Sequence, residues 1–302
     1  MNLSIEHVTK HFQQKTAVHD MSLYIESGEC VGLLGPNGAG KSTLLNIITG
    51  VIPADKGEVL LNGKRIASMK HQIGYLPQSP PLYSWMTSQE TLVFMGKLSG
   101  LPNKNLLKEV QCMLERVGLY NEQNTKVGNF SGGMKQRLGI AQALLHKPAF
   151  LVMDEPVSAL DPVGRREVID LIRDINNKTT VLLSTHILSD AEEICERLVV
   201  MKNGIKLKDT TVTELACRTG EPAVYFDVLP KDLAWADLVR SLPYVQQVEV
   251  TGNTVKVIMN EVEAYKNSLI EHAVKNHVDI IRFDVSRRDT LEDIFLKMVA
   301  GA

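Results

Sequence analysis

Apolar residues in this chain follow two rhythms: short unbroken runs, and runs that return every three to four positions. CVGLLG (30–35), AFLVMD (149–154) and TTVLLST (179–185) are near-continuous, as suits strands buried on both faces of a parallel sheet. Each leads into a helical pattern. After the first, Leu44, Ile47 and Ile48 share one helix face, with Gly50 and Pro53 as stop signals. The second is followed by Asp161-Pro162, an N-cap residue and a proline fit for the first helical position. Val168, Leu171, Ile172 and Ile175 then repeat at i, i+3, i+4 and i+7. After the third, Ile187, Ala191, Ile194 and Leu198 predict a helix whose face runs to position 198. Strands alternating with helices define an α/β domain with a parallel sheet.

The pattern departs from this alternation in three places. Near the N-terminus strand-like segments include EVLLNGK, whose Asn62-Gly63 suits a tight hairpin turn. Between Ser79 and Asn129 strand signals stop, and apolar-periodic stretches near 87–98 and 104–117 predict a helical insertion set into the α/β core. After Gly220-Glu221-Pro222 the chain reads as AVYFDV (strand), KDLAWADLVRSL (helix), VQQVEV and TVKVIMN (strands joined at Thr251-Gly252-Asn253). EVEAYKNSLIEHAVKNH (helix), VDIIRFDV (strand) and TLEDIFLKMVA (a final helix) complete it. The order β-α-β-β-α-β is that of a small ferredoxin-like α+β domain. The expected division is residues 1–218 and 219–302.

Composition narrows the function classes. At 302 residues the chain accommodates two domains, and 44% hydrophobic with 23% charged is the balance of a soluble globular protein. A net charge of −2 gives no basic field to attract nucleic acid. The longest uninterrupted apolar run, Ala149 to Met153, is five residues. A spanning helix needs about 20. The opening MNLSIEHVTKHF reads as a strand rather than a signal peptide. Cys30, Cys112, Cys195 and Cys217 show no C-x-x-C spacing and are expected to be reduced thiols in a cytoplasmic protein.

Two sites carry candidate chemistry. Residues 35–43, Gly35-Pro36-Asn37-Gly38-Ala39-Gly40-Lys41-Ser42-Thr43, match G-x-x-x-x-G-K-[ST] between a strand and a helix. The glycines let backbone N–H groups curl round a β-phosphate, and the helix N-terminus adds positive potential. Lys41 reaches the β- and γ-phosphates, and the Ser42 hydroxyl can join a Mg²⁺ shell. Asp154 ends the second buried strand, at the same sheet edge, where an Asp in P-loop enzymes holds Mg²⁺. Glu155 follows it as the candidate general base. Ser131-Gly132-Gly133, at a helix start, presents small residues, N–H groups and a hydroxyl suited to a γ-phosphate.

Together, GPNGAGKST (35–43), FSGGMKQRLGIAQALLHKPAFLVMDEP (130–156) and a downstream His186 resemble the ATP-binding cassette (ABC) ATPases over residues 1 to about 218. The resemblance implies a P-loop NTPase core that binds ATP and Mg²⁺. It makes Gln78, after IGYLP, the glutamine that approaches Mg²⁺ and the attacking water, and His186 a γ-phosphate contact. Phe12 becomes an adenine-stacking aromatic, and Ser158-Ala159-Leu160-Asp161 a loop crossing a dimer interface. ATP would lie between one P-loop and the partner's Ser131-Gly132-Gly133 in a homodimer. The signature reads FSGGM where LSGGQ is commonest, so Met134 replaces a polar side chain. The 79–129 insertion would receive a membrane permease on a separate chain, which alone would hold this chain at the inner face of the membrane. TLEDIFLKMV resembles the tail of ATPases serving bacterial drug-exporter systems, with import as the rival direction. Lys41 and Ser131 are only 90 positions apart and there is one cassette, unlike ABC ATPases of repair or translation. No Asn-Lys-x-Asp sequence reads guanine.

Overall fold

The computed structural model describes residues 1–13, 15–158, 160–176, 179–217 and 223–285. The three unbroken apolar runs form β3 (Cys30–Leu34), β7 (Phe150–Asp154) and β8 (Thr180–Thr185), every residue of which is buried. Ahead of them lie β1 (Leu3–Phe12) and β2 (Lys15–Ile25), and after β3 come α1 (Lys41–Ile48), β4 (Lys56–Leu61), β5 (Lys64–Arg65) and β6 (Ile73–Leu76). The helical insertion supplies α2 (Ser88–Leu98) and α3 (Asn103–Arg116), followed by α4 (Gly132–Leu144). The chain continues with α5 (Pro162–Asn176), α6 (Leu188–Ile194), β9 (Arg197–Lys202) and β10 (Ile205–Thr211).

The main sheet has the order β10-β9-β3-β8-β7-β6, parallel except for the antiparallel β10 at its edge. A second, antiparallel sheet has the order β2-β1-β4-β5. Its β4–β5 hairpin turns on Asn62 (φ 49°) and Gly63 (φ 72°), the doubly left-handed turn that Asn-Gly favours. Leu44, Leu45, Ile47 and Ile48 of α1 join one core with Leu3, Ile5 and Met21 of the second sheet and Val31, Leu33 and Phe150 of the first. That shared core fixes the helix that follows the P-loop.

The insertion is helical for local reasons. Thr87 caps α2, its hydroxyl accepting from Glu90 N–H at 3.1 Å while Glu90 accepts from Thr87 N–H at 2.8 Å, a reciprocal capping box. Leu106, Val110 and Leu114 repeat every four residues along the buried face of α3.

One expectation fails in the segment that follows β8. The helix after β8 ends at Ile194, and Leu198 lies in β9, paired with Gly32 of β3. Cys195 turns extended (φ −109°, ψ 150°), and the Leu-Val-Val run enters the sheet, where backbone pairing outweighs the helical spacing.

The chain divides into two compact units, the second beginning at Thr213. Past α7 (Val212–Cys217), the described part of the second unit contains β11 (Ala223–Val228), α8 (Trp235–Arg240), β12 (Val245–Thr251), β13 (Thr254–Met259), α9 (Val262–Lys275) and β14 (Ile280–Asp284). Its antiparallel sheet has the order β12-β13-β11-β14, the strand arrangement of a split β-α-β-β-α-β unit. The first helix is shorter than the pattern predicts: Pro230–Asp232 form a 3₁₀ turn, and α8 starts at Trp235. Phe226 and Trp235 pack edge to face at 5.0 Å in its core, and Trp235 Nε1 donates to His272 Nδ1 at 3.0 Å. The final helix predicted over 290–300 lies outside the described residues. No helix among the described residues is long and apolar enough to cross a membrane.

Candidate nucleotide site

Because β3, β6, β7 and β8 run parallel, their carboxyl ends meet at one sheet edge. Gly35, Gln78 and His186 follow those ends, and Asp154 is the last residue of β7. The P-loop there is held in a shape only glycine takes easily. Gly38 and Gly40 have φ of 81° and 100°, and a Cβ on Gly40 would stand 2.2 Å from Ala17 O. Gly204 N–H donates to Ala39 O at 2.9 Å and braces the loop from β10's side. Lys41, 5% exposed, starts α1 and donates through Nζ to Gly35 O at 2.7 Å and Pro36 O at 3.2 Å. Burial lowers its pKa, with Glu155 and Asp154 pulling the other way.

Glu155 is the hub. Its Oε2 accepts from Gln78 Nε2 at 3.2 Å; its Oε1 lies 3.1 Å from His186 Nδ1 and 3.8 Å from Lys41 Nζ. The residue is 9% exposed and has a left-handed φ of 47°. Its N–H is within reach of Ser184 Oγ at 3.0 Å and Ser184 O at 3.1 Å. Ser184 Oγ donates to Asp154 Oδ1 at 2.5 Å, so one hydroxyl ties the two acidic residues together. Tyr75, whose hydroxyl donates to Asn46 Oδ1 at 3.0 Å, has its pKa pushed up to about 12 by burial, with the Asp154 charge adding to the effect.

Phe12, Asn37 to Thr43, Gln78 and Glu155 line one cavity of about 540 Å³, together with Lys15 and Ala17. Phe12 is 49% exposed, with Lys10 Nζ over its ring at 5.6 Å from the centroid. Ser131, Gly132, Gly133 and Asp161 do not line this cavity. Ser131 caps α4, its Oγ accepting from Met134 N–H at 3.2 Å. Gly132 faces a second cavity of about 370 Å³ with Ser158 and Leu160, which shares Gln78 with the first. Asp161 Oδ2 accepts from Gly164 N–H at 3.5 Å at the start of α5.

Sequence reasoning missed Ser184, Tyr75, Lys15 and Ala17. Ser184 left one trace: with Thr185 it ends the apolar Val181-Leu182-Leu183 run on a polar note, and it is fully buried. A hydroxyl so placed needs a partner.

The fold and this edge are those of a P-loop nucleoside triphosphatase. A family model described as "ABC transporter" matches residues 18–158. "Uncharacterized ABC transporter ATP-binding protein YxlF" of Bacillus subtilis (strain 168) is 41% identical over 298 residues, 98% of this chain and 99% of that protein. "Nod factor export ATP-binding protein I" of Rhizobium sp. (strain N33) is 34% identical over 301 residues, 96% of this chain and 94% of that protein. Among solved structures, the ATP-binding cassette MJ0796, dimeric and bound to ADP and Pi, has a TM-score of 0.63 at 26% identity, covering 70% of this chain and 98% of that one. This chain belongs to the ATP-binding proteins of ABC transporters.

Proposed function

We propose that this chain hydrolyses Mg·ATP to drive a bacterial exporter, with Glu155 as general base. The observation that carries the reading is the convergence of Gln78, His186 and Lys41 on the Glu155 carboxylate at the wall of the P-loop cavity. Water would attack the γ-phosphorus and pass its proton to Glu155, while the bond to the ADP oxygen breaks. Gln78 orients that water, and His186 and Lys41 bond the γ-phosphate oxygens. Lys41 would exchange the carbonyls of Gly35 and Pro36 for phosphate. Phe12 would stack on adenine.

The donors available for a cation are the Ser42 hydroxyl, the Gln78 amide oxygen and the Asp154 carboxylate, all hard oxygens that suit Mg²⁺. A cation held by these three donors would complete its shell with phosphate and water oxygens. Bound there, Mg²⁺ neutralises charge on the β- and γ-phosphates.

Export is favoured over import by a relative named for Nod factor export. Ser131, Gly132, Gly133 and Asp161 would act across a homodimer, on the partner's nucleotide. The insertion carrying α2 and α3 would receive the separate permease, which would hold the chain on the inner face of the membrane. The second unit, without any proposed nucleotide contact, would be a ferredoxin-like accessory domain. Glu155→Gln should retain ATP affinity and lose about 10²–10⁴-fold in turnover. Hydrolysis at the parental rate by that variant would remove Glu155 from the mechanism.

A further inference from the structure

An ion pair with a buried carboxylate joins the two helices that leave the catalytic edge. Asp190 sits on α6, four residues past His186, and its side chain is 1% exposed. Its Oδ1 accepts from Arg165 Nη2 on α5, which also reaches Ser189 Oγ at 3.3 Å. Arg165 is locked into the first turn of α5 by its N–H donating to Asp161 O at 2.9 Å. On the other side, Ala191 N–H donates to Ile187 O at 3.4 Å, in the turn directly after His186. One ion pair therefore spans from the Asp161 end of α5 to the His186 end of α6.

Other ion pairs cross the same helices, but they are solvated. Arg166, 59% exposed, pairs with Glu193, and such surface pairs contribute little. Asp190 is different, because a buried carboxylate depends on its partner. Burial pushes its pKa up, and Arg165 works against that push. The contact is also incomplete: Arg165 Nε and Asp190 Oδ2 are both buried without a hydrogen-bond partner. A guanidinium–carboxylate pair is strongest when both prongs close.

We propose that Arg165 and Asp190 are positioning residues that hold His186 and the Asp161 end of α5 in the relative arrangement needed for hydrolysis. The inference rests on the reading of Glu155 and His186 given above. Neither Arg165 nor Asp190 lines the P-loop cavity, and neither touches the P-loop that grips the phosphates, so the main effect is expected in turnover.

The test compares steady-state ATPase kinetics and fluorescent-ATP affinity for the full chain and its Asp190→Asn, Arg165→Gln, double and Arg166→Gln variants. Displacing a catalytic group by about 1 Å costs up to 10²-fold, so each single clamp variant should lose about 10- to 100-fold in kcat. KM and ATP affinity should stay within about twofold of the parent, because the P-loop and Lys41, which carry most of the ground-state binding, are untouched. The double variant should be no slower than the worse single variant, since both residues serve one contact. Arg166→Gln should turn over at the parental rate. Should Asp190→Asn not fold, Arg165→Gln decides, since it alters the half-exposed partner and leaves a carboxyl free to take up a proton. Parental kcat in folded Arg165→Gln, affinity falling in step with kcat, or an equal loss in Arg166→Gln would each overturn the clamp while leaving Glu155 in place. Parental turnover in Glu155→Gln would overturn the underlying reading, and the clamp with it.

Discussion

Lys41 is an ammonium held out of water by its own loop, with two peptide carbonyls and two nearby carboxylates compensating for lost hydration. A phosphate chain offers the same charge in a better geometry. Lys41→Ala should therefore weaken ATP binding by about 10- to 100-fold, the worth of a hydrogen bond to a charged group, whereas Glu155→Gln should spare it. Isothermal titration with a non-hydrolysable ATP analogue separates the two variants; equal affinities would remove Lys41 from phosphate binding. Because burial lowers the Lys41 pKa, ATP affinity should begin to fall, as pH rises, before an exposed lysine would lose its proton. Tyr75 gives a second pH signature. Its phenol keeps its proton to about 12 in the folded chain against 10.0 as the ordinary value, so between these the folded state binds more protons and stability falls as pH rises. Urea midpoints at about pH 9 and pH 11 should converge in Tyr75→Phe compared with the parent. An unchanged difference would contradict that assignment.

At the scale of elements, the P-loop turn is the most exacting. Gly40 combines φ of 100° with a carbonyl 2.2 Å from where a Cβ would sit. Gly40→Ala should cost about 1–3 kcal/mol of stability from backbone strain alone. Its loss of ATP affinity should be larger than the melting shift accounts for, and melting together with titration tests this. Intact ATP affinity would contradict the tight fit. The buried strands were legible because a strand covered on both faces admits no polar residue for several positions, as in Phe150 to Met153. Leu198 was misread because its distance from Ile194 is also a helical spacing, and period alone does not see the sheet neighbour Gly32. P-loop residues were legible because the glycine and Lys-Ser-Thr positions are fixed by local geometry. Ser184 was not, since its partner residues Asp154 and Glu155 lie about 30 positions away in sequence. The left-handed backbone of Glu155 has no local sequence signal, since glutamate is not a residue that favours positive φ.

At the scale of the whole molecule, the cavity lined by Phe12, Lys41 and Glu155 and the surface at Ser131 to Gly133 are separate regions of one chain. A two-fold operation that brings one region onto the other does so twice, forming a self-complementary interface. Every residue assigned to the nucleotide precedes Thr213, where the second unit begins with its own core around Phe226, Trp235 and Leu269. Removing residues 223–302 should leave ATP affinity unchanged in a folded truncation, and a loss of affinity would tie the second unit to the site. The central expectation for the molecule is that ATP is shared between two copies. Light scattering of the Glu155→Gln chain at saturating Mg·ATP tests this directly, since blocked hydrolysis retains the γ-phosphate that both copies bind. A mass of twice 33.5 kDa with ATP, and 33.5 kDa without it, is the predicted result. A chain that binds ATP and stays at 33.5 kDa would contradict it.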